Sequence, residues 1–203
     1  MLRKLFGPSK KVIWKQLSDE IGADFKEGRW SRGDRVEVRH SEWIITLDTF
    51  VVSTGKTTIV FTRLRAPYVN PDGFRFTIYR RGFFSDIAKW FGMQDVEVGH
   101  ADLDRDFIIK GTSDAKLRAL FADGKLRELV MAQPKIHFEV RDNEGRFGPD
   151  FPGDTDELRF HVIGVIKDVE RLKQLFDLFA ETLDQLCHIG SAYERAPGVK
   201  LND

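Results

Sequence analysis

A chain of 203 residues that is 41% hydrophobic and 12% aromatic can bury a sizeable core and is too apolar for disorder. Its 32 basic and 32 acidic residues cancel, which weighs against a nucleic-acid partner, because binding phosphates calls for an excess of cations. One cysteine, Cys187, excludes an internal disulfide and fits a reducing compartment.

No apolar run approaches the length that crosses a bilayer. The first seven residues, Met1-Leu2-Arg3-Lys4-Leu5-Phe6-Gly7, lack the continuous apolar segment of a signal peptide. A soluble, cytoplasmic protein is the expectation.

Ile13, Leu17 and Ile21 stand at helical spacing with Trp14 beside them, and Gly22 supplies a stop. Val36 and Val38 alternate with Glu37 and Arg39, the pattern of a half-buried strand. Residues 43–52 and 57–65 read as two more strands around a hairpin turn at Ser53-Thr54-Gly55-Lys56. Asn70-Pro71-Asp72-Gly73 is the strongest turn signal, since proline presets one backbone angle and glycine tolerates the last. Phe74, Phe76 and Ile78 then alternate with Arg75, Thr77 and Tyr79 as a strand, and residues 85–91 suggest a short helix.

The middle of the chain reads as one strand feeding two helical segments. Phe107, Ile108 and Ile109 are too few for a helix. Thr112 or Ser113 can cap the first helix after that strand, and Leu117, Leu120 and Phe121 mark its buried side. Gly124 is expected to end or redirect that helix by a left-handed conformation. Leu126, Leu129 and Val130 continue an apolar face as far as Pro134.

Residues 135–141 and 158–165 alternate as strands. Asp168 can cap a long final helix whose Val169, Leu172, Phe176, Phe179, Leu183 and Leu186 form one stripe ending near Gly190.

These elements predict an α+β protein, an antiparallel sheet with helices packed on one face, in a single compact domain over residues 1–203. Residues 74–79 and 158–163 share a pattern, and each is followed by a helix. That raises two pseudo-repeated α-β(3-4)-α halves, 10–92 and 100–190.

Leu103-Asp104-Arg105-Asp106-Phe107-Ile108-Ile109, followed by Asp114, Arg118 and Leu120, resembles a motif of an uncharacterised bacterial domain family, the DUF3137 type. Members carry an acidic-aromatic strand and then a helix with an Ala-Arg pair; here Leu117 stands before Arg118. The resemblance covers residues 102–134, about a sixth of the chain, and implies no catalytic residue.

Gly55-Lys56-Thr57 imitates the end of a phosphate-binding loop. The required earlier glycine is Phe50, however, and a strand rather than a helix comes after, so the motif is rejected. Cys187 and His188 are adjacent on a helix and point in different directions, which leaves a structural thiol. His137, Glu139 and His161 alternate against Ile136, Phe138, Val140, Phe160 and Val162, so pairing of their strands would gather them as a metal or acid–base cluster. A solvated sheet face shows the same alternation.

Residues 142–157 hold Asp142, Glu144, Asp150, Asp154, Asp156 and Glu157, oxygen donors on a loop that matches no known calcium spacing. Arg80, Arg81, Phe83, Phe84, Ile87, Trp90 and Phe91 combine cations with aromatics, as an interface or a sheet-edge cover would. Lys56, Arg63, Arg65, Arg75, Arg80 and Arg81 form a basic region. Asp95, Glu97, Asp102, Asp104 and Asp106 reverse the sign, and the two could face each other within the fold or between subunits.

With no recognisable nucleophile, metal spacing or phosphate loop, the favoured expectation is a non-enzymatic binding or assembly module. Its partner would be a protein or a second copy of the chain. The alternatives are an enzyme using His137, Glu139 and His161, and a peripheral membrane protein using residues 83–91. The sequence indicates no cofactor.

Overall fold

Strand alternation sets two faces, and the register joins them across the whole sheet. The computed structural model describes residues 8–28, 33–53, 55–82, 94–142, 151–199 and 201. Its strands are β1 (Asp24–Lys26), β2 (Arg35–His40), β3 (Trp43–Ser53), β4 (Thr58–Val69), β5 (Phe76–Arg80), β6 (Gln94–Asp95), β7 (Phe107–Gly111), β8 (His137–Arg141) and β9 (Thr155–Ile163). They form one nine-stranded sheet in the order β1-β2-β3-β4-β9-β8-β5-β7-β6, with every neighbouring pair antiparallel.

The helices are α1 (Lys10–Ile21), α2 (Ala101–Asp106), α3 (Asp114–Leu120), α4 (Gly124–Met131) and α5 (Val169–His188). Helices α1, α3 and α4 all contact α5. Their buried residues join one apolar cluster with Leu47, Leu64, Phe160, Phe138 and Ile78 of the sheet. Phe179 of α5 lies 5.5 Å from Phe138, centroid to centroid. Trp14 buries its ring in the same layer and donates its indole N–H to the Ile166 carbonyl at 3.2 Å. The α+β architecture with an antiparallel sheet is as the sequence implies.

Local signals act where they were read. Ser113 and Asp168 accept from the amides of Lys116 and Arg171 as N-caps. Gly22 adopts φ 66° and ends α1 by returning its amide to Ser18. Gly73 closes the turn at φ 65°.

Gly124 is different. It opens α4 behind the cap Asp123, whose side chain accepts from Leu126, and α3 has already ended at Phe121 with φ −85°. The aspartate, rather than a left-handed glycine, makes the break between the two helices.

The two proposed halves interleave. Strand β5 of the first half sits between β8 and β7 of the second, while β1 to β4 form an uninterrupted meander with no counterpart later in the chain among the described residues. Residues 74–79 and 158–163 look alike because Phe76, Ile78, Phe160 and Val162 all enter the same core. The helix expected over 85–91 lies outside the described residues. Among those described, no helix is long and apolar enough to cross a membrane.

Candidate binding face on the polar side of the sheet

The face opposite the helices carries two continuous cross-strand rows. One runs Asp48, Arg63, His161, His137 and Tyr79 across β3, β4, β9, β8 and β5. The next runs Thr46, Arg65, Arg159, Glu139 and Thr77 across the same strands. Glu157 and Arg141 pair beyond it. A sheet face without helices is ordinarily solvated, yet this second row is 6%, 2%, 6%, 1% and 1% exposed. The solvated face expected from alternation is here a buried polar layer.

The predicted trio does meet within it. The rings of His137 and His161 lie 4.3 Å apart, and His137 Nε2 is 3.3 Å from Glu139 Oε2. His161 also stands edge-on to Phe50 and Phe61, which stack on each other at 4.8 Å. Burial pushes the His161 imidazole well below its ordinary value, and His137, Arg159, Arg141 and Arg63 push the same way, so the ring is neutral at neutral pH. Burial opposes ionisation of Glu139, but His137, Arg141 and Arg159 outweigh it and hold the carboxyl below its usual range. The trio meets through ring contact and an ion-pair contact. Among the described residues no group of three His, Cys, Asp or Glu side chains is arranged to hold a metal.

Around the trio, Asp48 accepts from Arg63 Nε and Nη2 and from Arg65 Nη2, each at 2.7 Å. Burial works against this carboxylate, and the two arginines more than offset it, leaving its pKa lowered. Arg141 reaches Glu139 at 3.7 Å. Arg159 differs from its neighbours: among the described residues it forms no hydrogen bond and no ion pair, and its Nε is buried without an acceptor. Its guanidinium lies over the Phe50 ring at 5.4 Å, with Arg63 at 5.0 Å from the same ring. Burial pulls its pKa down to about 10, against the opposing fields of Glu157 and Glu139.

Beside these rows a cavity of about 830 Å³ opens over β1 to β4. Lys26, Arg35, Glu37, Arg39, Glu42, Ile44, Thr46, Arg65 and Pro67 form its floor. Ala196, Pro197, Gly198, Val199 and Leu201 form a wall. That wall is tied down where the Tyr193 amide donates to the Val69 carbonyl at 3.2 Å and where Arg195 pairs with Asp154 at 2.9 Å.

The remaining candidates fall elsewhere. Arg80 covers the Phe107 ring at 4.7 Å, donates to the Met131 carbonyl and approaches Asp106 at 3.9 Å. Arg81 donates to the Asp104 carbonyl. Basic and acidic regions thus touch within the fold at Arg80–Asp106, while Asp95 pairs with Lys110, outside the basic region. Phe83, Phe84, Ile87, Trp90 and Phe91 lie outside the described residues.

Of the suspected calcium donors, Asp142 and Asp156 are engaged by Arg75, and Asp154 by Arg195; Asp156 and Glu157 belong to β9. Cys187 is half-buried against the core, and burial raises its thiol pKa, while His188 is exposed. Gly55-Lys56 turns a β-hairpin.

No sequence pattern singles out Lys116, Asp72 and Ser191. Lys116 Nζ bonds Ser191 Oγ at 2.8 Å and pairs with Asp72, and the serine donates to Asp72 at 3.1 Å. Ser191 is fully buried, so this polar knot ties the end of α5 to α3 and the β4–β5 turn.

No family model, curated protein or solved structure matches this chain.

Proposed function

We propose that this chain is a non-enzymatic binding module that holds a small ligand on the polar face of its sheet. The observation that carries the proposal is the cavity of about 830 Å³ on that face. It lies within the range of roughly 300–1,000 Å³ usual for small-molecule sites. Its lining mixes apolar Ile44, Pro67, Val199 and Leu201 with the cations Lys26, Arg35, Arg39 and Arg65 and the acids Glu37 and Glu42. Such a lining suits an amphipathic molecule.

Ile44 supplies the test, because it lines the cavity and is 41% exposed, so a larger side chain there blocks the space without entering the core. Anilinonaphthalene sulfonate, an amphipathic anion, should bind the purified chain at one site, and Ile44→Trp should remove that binding while leaving the melting temperature unchanged. Dye binding that ignores Ile44→Trp would sink the proposal.

A second reading, an acid–base site, is favoured by the 4.3 Å approach of His137 to His161 with Glu139 beside them. A reacting site must admit small molecules, so on this reading diethyl pyrocarbonate acylates His161 in the native chain at a rate near that of a free histidine. Protection of His161 argues for the binding module instead.

A further inference from the structure

We propose that Arg159 is the anchor for an oxyanion group, carboxylate or phosphate, at one end of the ligand bound on the polar face; the inference rests on the binding-module reading. A buried ion is ordinarily matched by a counter-ion or by hydrogen bonds, because stripping its water is costly. Arg159 is 6% exposed and, among the described residues, forms no hydrogen bond and no close ion pair; only the fields of Glu157 and Glu139 oppose the cost of its burial.

Two of the nearby carboxylates are already engaged by other side chains. Asp48 binds Arg63 and Arg65, and Glu139 contacts His137 and Arg141. Glu157 faces Arg141 across the β8–β9 register, and its field is the strongest of those that favour the charged Arg159. Arg159 itself stands directly between Arg65 and Glu139 in its row. Like charges opposite one another on a sheet repel, so the Arg65–Arg159 step gains from an anion placed against it. Four arginines, Arg63, Arg65, Arg141 and Arg159, share this layer with three carboxylates, Asp48, Glu139 and Glu157, a difference of one positive charge.

The geometry also suits recognition. The Arg159 guanidinium lies over the Phe50 ring at 5.4 Å, and the forked N–H edge of a guanidinium matches an oxyanion. Neutral His161 stands next to it and adds no competing charge. Arg65 belongs both to this row and to the cavity floor, so an oxyanion at Arg159 and a ligand body in the cavity are one strand apart.

The test uses the full chain, with inorganic phosphate, succinate and chloride compared at matched ionic strength by thermal shift and calorimetry. Phosphate or succinate, whichever class the site takes, is expected to raise the melting temperature saturably, and chloride to do nothing. Arg159→Met should weaken that binding roughly 10- to 100-fold, the value of hydrogen bonds to a charged group. Without anion it should melt at or above the wild-type temperature, because an unpaired buried charge has been removed.

Should Arg159→Met fold poorly, Arg159→Lys carries the test. It keeps the charge and loses the fork, so weaker anion binding supports the anchor and unchanged binding overturns it. An Arg159→Met chain that melts lower, together with a wild type indifferent to every anion, overturns the anchor and makes Arg159 a structural counter-charge to Glu157 and Glu139. If the dye still binds in an Ile44-dependent way, that failure belongs to the anchor alone. If the dye is also indifferent to Ile44→Trp, the binding-face reading falls with it.

Discussion

Two rows of side chains one residue apart on the same strands make opposite contributions at equal burial. On the helix side, Val36, Leu47, Leu64, Phe160, Phe138, Ile78 and Ile109 line up across seven strands and are 0–2% exposed. On the other side, Thr46, Arg65, Arg159, Glu139 and Thr77 reach nearly the same burial. The apolar row gains free energy from leaving water. The polar row loses hydration and recovers it only where partners are found. Within the polar row Arg159 is the charged member whose hydration is least replaced, and that is where the binding proposal places the ligand.

The contrast between the rows breaks most sharply in the core. Phe138→Ala removes a ring packed between Phe76, Phe160 and α5 and should cost about 3–5 kcal/mol in chemical denaturation. Arg159→Met, at similar burial one position along β9 from Phe160, should cost nothing or stabilise. If the two losses were equal, the polar layer would be as necessary to folding as the apolar one.

A smaller effect is expected at Asp48. Asp48→Asn keeps the shape but removes the carboxylate that Arg63 and Arg65 share, with their side chains 12% and 2% exposed. The loss should be about 2 kcal/mol, discounted from the fully buried case because Asp48 keeps some solvent contact. If added phosphate restores part of this loss, the layer accepts an external oxyanion wherever its internal one is missing, which sharpens the contrast with the core.

The legibility of each feature in the sequence depends on the range over which its signal acts. Alternation in β8 and β9 correctly put His137, Glu139 and His161 opposite Phe138 and Phe160, because facing is a property of a single strand. The caps at Ser113 and Asp168 were legible for the same reason. Strands β1 and β6, with three and two residues, are too short to show a period.

Helix α2 leaves no periodic signal in the sequence because it buries one apolar residue, Leu103. Asp104 holds it by accepting from the amides of Val98, Gly99 and His100, a local arrangement without periodicity. The polar row is the extreme case. Residues 46, 65, 77, 139 and 159 become neighbours through a strand order that no local pattern encodes. Arg159 looked like any outward residue between Leu158 and Phe160.

The smallest effect is the most diagnostic of the polar layer, and it is read from pH. In the fold His161 is surrounded by His137 on β8, Arg63 on β4, and Arg159 and Arg141, with Phe50 and Phe61 closing the edge. Its folded pKa lies well below the ordinary 6.5, so as pH falls past 6.5 the unfolded chain takes up a proton that the native chain refuses. Stability from this group is intact above 6.5 and declines below it, at up to about 1.4 kcal/mol per pH unit, until the folded pKa is reached.

Glu139 has a lowered pKa and acts in a separate, more acidic window, losing its contribution near and below its ordinary 4.5. His161→Phe can stack with Phe50 and Phe61 and takes up no proton. The difference between wild type and variant in denaturant midpoint should therefore be flat from pH 8 to about 6.5 and move in favour of the variant below it. A difference that stays flat to pH 5 would mean that His161 titrates as it does in water, and that the neighbouring histidine row is solvated after all. The equal burial on which the contrast between the two faces rests would then hold only for the arginine row.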